Sequence, residues 1–351
     1  MKLQIDGKEL GRGAMPYVVA EISANHNGSL DRAKRCIEAA KKAGADAVKI
    51  QTYTADTMTL DIDNPEFLIS GGLWDGYRLY DLYKWAQTPY EWHEPLFNCA
   101  KDNGITIFSS PFDSTAVELL SSLQAPAYKI ASFELTDIPL IRSVAQKKKP
   151  IIMSTGMATD KEIQDAIFAA KEAGGEDLVL LHCISGYPTK NSDAQVFRVS
   201  ELINKFQLPV GLSDHTLSVD AAICATALGG CIIEKHFTLS RSDGGPDSQF
   251  SIEPNELEEL CKTVYRVWEV LGSPPLVRPE NELQSKKFRR SIYFTSDMKK
   301  GQTVTVGDIR CIRPANGLAP KFFDSLVGQR LAQDVDAGQP SNWNMFESQG
   351  E

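Results

Sequence analysis

The chain has 351 residues, 42% of them hydrophobic, and a formal net charge of −9. That length can bury a sizeable core and exceeds one average domain, although a single barrel uses about 250 residues. The acidic balance argues against a nucleic-acid partner, no apolar run reaches the roughly 18 residues of a membrane span, and the opening MKLQIDGKEL lacks a signal-peptide core.

From Tyr17 to Leu271 short β-branched runs alternate with longer amphipathic segments. The runs are YVVAEIS (17–23), DAVKIQ (46–51), ITIFSS (105–110), AYKIAS (127–132), PIIMST (150–155), LVLLHC (178–183), PVGLS (209–213) and CIIEKH (231–236). Between them lie helical patterns such as 30–44, 160–175 and 219–230, which finish in Gly where a helix C-cap favours it. Nearly all-apolar strands separated by helices imply a parallel sheet covered by helices, and eight such units match a closed (β/α)₈ TIM barrel. An open doubly wound sheet is the alternative, disfavoured because no GxGxxG follows the first run.

The insertion at 53–87 is too long for an ordinary βα loop, and its aromatics predict a folded lid or interface segment. Past Gly272 a Pro- and charge-rich stretch predicts a linker over 276–287 after a catalytic domain of residues 1–275. Residues 288–351 then read as short strands and turns, a small second domain with Gly301, Gly307 and Gly317 as breakers. The seven scattered cysteines (Cys36, Cys99, Cys183, Cys224, Cys231, Cys261, Cys311) form no CxxC pair, which fits reduced thiols in a soluble, cytoplasmic protein.

Each apolar run turns polar at its carboxyl end, where a barrel of this kind builds its active site. The ends carry Glu21 and Ser23, Lys49 and Gln51, Ser109 and Ser110, Lys129 and Ser132, and Ser154 and Thr155. His182 follows, then Ser213 with Asp214 and His215, then Glu234, Lys235 and His236. Lysines and hydroxyls ringed around one cavity suit a phosphate, since both donate to its oxygens and lysine adds charge. His215 and His236 end neighbouring strands, so their imidazoles are candidates to share one divalent metal, with Glu21 within reach; a pair of satisfied buried histidines is the alternative.

These residues fall in a series of motifs: AEISANHNG (20–28), AGADAVKIQTY (43–53), FSSPFD (108–113), YKIASFEL (128–135), STGMA (154–158), HCISGYP (182–188), GLSDHT (211–216), EKHFTL (234–239) and GGPDSQFS (244–251). In this order they resemble the signatures of the sialic acid synthase family. The tail, with RPANGLAP (313–320) and LVGQRLAQDVDAG (326–338), is similar to that family's C-terminal antifreeze-like SAF domain. Within the family, 71–93 and 234–254 look most like the branch that makes pseudaminic acid.

The resemblance implies condensation of phosphoenolpyruvate with an acetamido-sugar aldehyde and release of phosphate, assisted by Mn²⁺ or Mg²⁺. It implies His215 and His236 as metal ligands, and Glu21, Glu134 and Lys129 as the catalytic groups. Lys49, Gln51, Ser110, Ser132, Ser154 and Ser213 would hold phosphoenolpyruvate, while Tyr187 and Asp247 would line the sugar site. Ser185 belongs to the same set, but it departs from the Asn that the family carries there. Arg313 matches a tail arginine that enters the partner's barrel and binds the acetamido group, which implies a domain-swapped homodimer; Gly317 is expected to permit the turn that presents it. Legionaminic or N-acetylneuraminic acid synthesis is the rival product. A Schiff-base aldolase using Lys129 or Lys49, or an inert barrel with an ice- or glycan-binding tail, are the rival classes.

Overall fold

The computed structural model describes residues 3–272 and 277–347. The chain divides into two compact units, Met1–Ser273 and Pro274–Glu351; the expected boundary at 275–276 lies outside the described residues.

The first unit opens with a small hairpin, β1 (Gln4–Ile5) and β2 (Lys8–Glu9). Eight parallel strands follow: β3 (Tyr17–Glu21), β4 (Ala47–Thr52), β5 (Thr106–Pro111), β6 (Tyr128–Ile130), β7 (Ile151–Ser154), β8 (Leu178–Cys183), β9 (Val210–Asp214) and β10 (Ile232–His236). Each pairs with the next, and β10 closes on β3 with His236 opposite Glu21. All eight expected strands are present and the barrel is closed. Composition requires that both faces of these apolar strands be covered, and the pairing of β10 with β3 shows that the sheet meets this as a closed barrel rather than an open one.

Alternation along the strands builds two cores. Val19, Ala47, Phe108, Ile152, Val179, Leu181 and Ile232 fill the barrel, together with Leu3, Ile5 and Leu10 from the hairpin region. The alternate residues Ala20, Val48, Ile50, Ile130, Leu180 and Ile233 pack outward with the helices. The interior is tight: a Cβ on Gly211 would collide with the carbonyl of Ile232, so only glycine fits there. Helix Leu30–Ala43 is capped at its start by Ser29, and at its end Gly44 takes φ +94. A capping box of Thr159 and Glu162 opens helix Asp160–Glu172. No helix among the described residues is long and apolar enough to cross a membrane.

The insertion is folded, with helices Ala55–Met58 and Leu79–Ala86 and a bridge between Leu68 and Arg78. Its segment from Gly71 to Tyr77 is exposed except for Trp74, which turns inward.

In the second unit, β11 (Ser291–Phe294) pairs antiparallel with β12 (Ile309–Ile312) over a core of Ile292, Phe294, Val304, Leu326, Leu331 and Phe346. The expected linker is not featureless: Pro279 starts a short helix, Glu280–Gln284, supported by an Arg278–Glu282 ion pair one turn apart. Gly317 serves close packing rather than a left-handed turn. Its backbone lies so near the carbonyl of Ile292 that a Cβ would overlap it.

Candidate active site

The carboxyl ends of the strands carry a buried charged cluster inside the barrel. Lys49 Nζ lies 2.7 Å from Glu21 Oε2 and 3.8 Å from Glu234 Oε1, and Lys129 Nζ lies 3.7 Å from the same Glu234 oxygen. Gln51 donates to Glu21 at 3.1 Å, Lys129 to Ser154 at 2.7 Å, Lys49 to Ser110 at 3.4 Å, and Ser213 to Glu234 at 3.0 Å. Two ammoniums and two carboxylates balance when all are ionised. An anion entering here would have to compete with Glu21 and Glu234 for Lys49 and Lys129. Burial works against each lysine's charge: it pulls Lys129 below the usual lysine range, whereas the carboxylates of Glu21 and Glu234 outweigh it and hold Lys49 above.

The loop after β7 supplies a cradle beside the lysines. Gly156 N donates to Ser132 Oγ at 3.1 Å, and a Cβ on Gly156 would lie 2.8 Å from that oxygen and collide with Ser185 Oγ. Ser132 and Ser185 thus both meet Gly156. Glu134 stands in the same short turn as Ser132. It is half-buried, its Oε2 has no hydrogen-bond partner, and burial raises its carboxyl to about 7.

Next to the lysines stand the two histidines, ring centres 5.4 Å apart. His215 Nδ1 donates to the carbonyl of Ile184 at 2.8 Å, so in the neutral imidazole Nε2 keeps its lone pair. That is the arrangement a metal-binding imidazole normally takes. His236 Nδ1 is buried with no hydrogen-bond partner, as is Glu234 Oε2. Buried polar atoms are seldom left in this state, and a cation or ligand is one way to satisfy them. Among the described residues no group of three or more His, Cys, Asp or Glu forms a ready-made metal cage, so a cation here would draw on water or substrate as well.

Aromatic rings flank the histidines. Tyr187 lies 4.4 Å from His215 and Phe250 4.8 Å from His236, ring centre to centre. Asp247 accepts hydrogen bonds from Ser23 Oγ and, at 3.2 Å, from Ala24 N, and burial raises its carboxyl above the usual range. Arg313 lies in the second unit, exposed just past β12.

Several residues of the sequence-derived polar ring face the other way, among them Ser109, which donates to the Ile50 carbonyl at 3.0 Å. His182 Nε2 donates to the Ala194 carbonyl, 2.8 Å away, in the layer outside the barrel. Lys235 and Asp214 pair with each other at 2.6 Å, both almost fully buried. The reason is strand alternation: Glu234, Lys235 and His236 are consecutive, so one of the three must point away from the other two. Two inward residues lacked a role in the sequence reading. Glu234 is reachable by parity, two positions before His236. Cys183 sits with its Sγ 3.9 Å from His215 Nδ1; burial pushes its thiol up, but His215 and Lys129 outweigh that and bring it to about 7.

The model of the NeuB family matches residues 36–275, and that of the SAF domain matches residues 289–347. The chain is 44% identical to a pseudaminic acid synthase of Campylobacter jejuni over 322 residues, 92% of this chain and 94% of that one. It is 37% identical to an N,N'-diacetyllegionaminic acid synthase of Legionella pneumophila over 347 residues, 97% of each. Among solved structures, an N-acetylneuraminic acid synthetase from Leptospira borgpetersenii, in complex with citrate, superposes with a TM-score of 0.73 at 29% identity, covering 81% of this chain and 95% of that one. The family resemblance carried by the motifs is therefore borne out, and the chain belongs to the NeuB family, its barrel followed by an SAF domain.

Proposed function

We propose that this chain condenses phosphoenolpyruvate with 2,4-diacetamido-2,4,6-trideoxy-L-altrose to give pseudaminic acid and phosphate. The observation that carries this reading is the buried Lys49–Lys129 cluster, in a chain more similar to a pseudaminic acid synthase than to a legionaminic acid synthase. Lys49 and Lys129, with Gln51, Ser110, Ser132, Ser154, Ser185 and Ser213, take the phosphate and carboxylate of phosphoenolpyruvate. Tyr187 and Asp247 hold the sugar. His215 and His236 would hold a divalent cation, Mn²⁺ or Mg²⁺, which would supply Lewis-acid activation of the sugar aldehyde.

The C2–C3 π pair of phosphoenolpyruvate forms the new bond from C3 to the aldehyde carbon, whose C=O π pair moves onto oxygen; that oxygen takes up a proton and becomes a hydroxyl. Water then adds at C2, giving one proton to a carboxylate, and phosphate leaves with the electrons of the C–O bond as the C2 hydroxyl gives up its proton and becomes the keto group. Glu134 suits the base role better than Glu21: its Oε2 is unpartnered and its carboxyl titrates near 7, whereas Glu21 is held by Lys49. Glu21 orients Gln51 and Lys49 around the reacting carbon. Arg313 serves the sugar's acetamido group in the partner's barrel of a domain-swapped homodimer, a task suited to its planar fork of donors. The seven free cysteines fit a reducing, cytoplasmic setting.

Incubation with phosphoenolpyruvate, Mn²⁺ and each candidate sugar, with the product identified by mass, tests the reading. Turnover of the altrose sugar in preference to N-acetylmannosamine and the legionaminic precursor is expected. Preference for either of those two overturns it.

A further inference from the structure

The insertion between β4 and β5 does one thing that its exposed sequence does not announce. From Gly71 to Tyr77 every residue except Trp74 is exposed. Gly71, Gly72 and Gly76 adopt positive φ, and Gly76 N donates to the Ile69 carbonyl, so the segment folds into a tight loop that aims a single indole inward.

That indole is anchored. Trp74 Nε1 donates to the carbonyl of Pro246 at 3.0 Å, beside Asp247. Its ring lies 5.9 Å from Tyr187 and 6.3 Å from Phe250, edge-on to the latter at 89°. Tyr187 and Phe250 are 5.0 Å apart and are the rings that touch His215 and His236. The aromatic groups are thus layered outward from the charged pole: the histidine pair, then Tyr187 and Phe250, then Trp74.

We infer that Trp74 is a specificity-determining residue that receives the deoxygenated, methyl end of the sugar. The inference rests on the proposed reaction with a 6-deoxy acetamido sugar. In that reaction the aldehyde end must reach the histidines and lysines, where the new bond forms. A six-carbon open chain held there extends past Tyr187 and Phe250, and its far carbon arrives at Trp74. The indole has a single polar donor, and that donor is committed to Pro246, so the ring offers the sugar an apolar face. A methyl group gains dispersion contact with that face. A hydroxymethyl group would leave its hydrogen bonds to water and find no replacement on the indole.

An apolar wall rejects an added hydroxyl only moderately, by about 100-fold at most. The experiment compares kcat/KM for 2,4-diacetamido-2,4,6-trideoxy-L-altrose with that for the same sugar bearing a 6-hydroxyl, in the full chain with Mn²⁺. The unaltered protein is expected to favour the 6-deoxy sugar by tens of fold. Trp74→Ala brings the ratio near unity with the phosphoenolpyruvate KM unchanged. Trp74→Gln, which offers an amide to the hydroxyl, moves the ratio toward the hydroxylated sugar, a change that no folding defect produces. A ratio unchanged in both variants, or an equal loss on both sugars, overturns the inference while leaving the proposed reaction intact. An unaltered protein that uses neither sugar overturns the proposed reaction, and the inference falls with it.

Discussion

Replacing Lys235 by methionine tests how the site is held from behind. Lys235 and Asp214 point away from the barrel interior, but each directly precedes a candidate metal-binding histidine, His236 and His215. Their side chains are 0% and 1% exposed and 2.6 Å apart. Lys235 Nζ also donates to the carbonyls of Thr216 and, at 3.1 Å, Ser218, while Asp214 accepts from Thr216 N at 2.8 Å. The pair therefore ties the end of β9, the loop after it and the end of β10 into one unit. Burial lowers the Lys235 pKa, and the Asp214 carboxylate opposes that shift. Lys235→Met leaves the Asp214 carboxylate buried with a backbone N–H as its remaining partner, a loss of about 3–5 kcal/mol. At roughly 2–4 °C per kcal/mol for a unit of this size, the thermal midpoint falls by about 10 °C. Circular dichroism on the full chain measures it, with urea unfolding as a second probe. Asp214→Asn combined with Lys235→Met removes both charges and recovers most of the loss. A single variant that loses under about 1 kcal/mol would refute the reasoning, because an exposed pair behaves that way. So would a double variant no more stable than the single one.

Further outcomes follow from the site and the tail. Glu134 must be ionised to act as base, so kcat falls as pH drops through about 7, and Glu134→Gln both slows the reaction and removes that limb. The linked stability has the opposite sense: because the folded value is raised from 4.5, this group's stabilising contribution is present below about pH 4.5 and is lost as pH rises through about 7, as read by urea midpoints of the unaltered protein against Glu134→Gln. His215→Ala and His236→Ala each weaken Mn²⁺ binding at least 10-fold by electron paramagnetic resonance titration without substrates, while far-ultraviolet circular dichroism stays unchanged; undiminished Mn²⁺ affinity would remove the histidines from the metal site. Arg313→Ala raises the sugar KM and spares that of phosphoenolpyruvate, and mixing it with inactive Lys129→Ala restores part of the activity; if subunits exchange and none returns, the tail does not serve its partner's barrel.

The amino-acid sequence by itself determined the class of fold and the chemistry available at its mouth. Eight apolar runs separated by capped helical patterns require a parallel sheet covered on both faces, and the pairing of β10 with β3 is how the tertiary structure closes it. The polar switch at each run's carboxyl end places Glu21, Lys49, Lys129 and Ser154 at the same level of neighbouring strands, where the structure brings them together. Which residues of each polar cluster face inward was decided by the tertiary structure. Alternation says that Glu234 and His236 share one face and Lys235 the other, but it does not say which face is the interior when both are buried. The barrel's curvature answers that, turning Glu234 toward the lysines and setting Lys235 and His182 among the outer packing. Contacts across long sequence separations were likewise invisible along the chain. Trp74 meets Pro246, and Ser23 meets Asp247, only because closing the barrel brings the loops after β4 and β10 and the end of β3 to one rim.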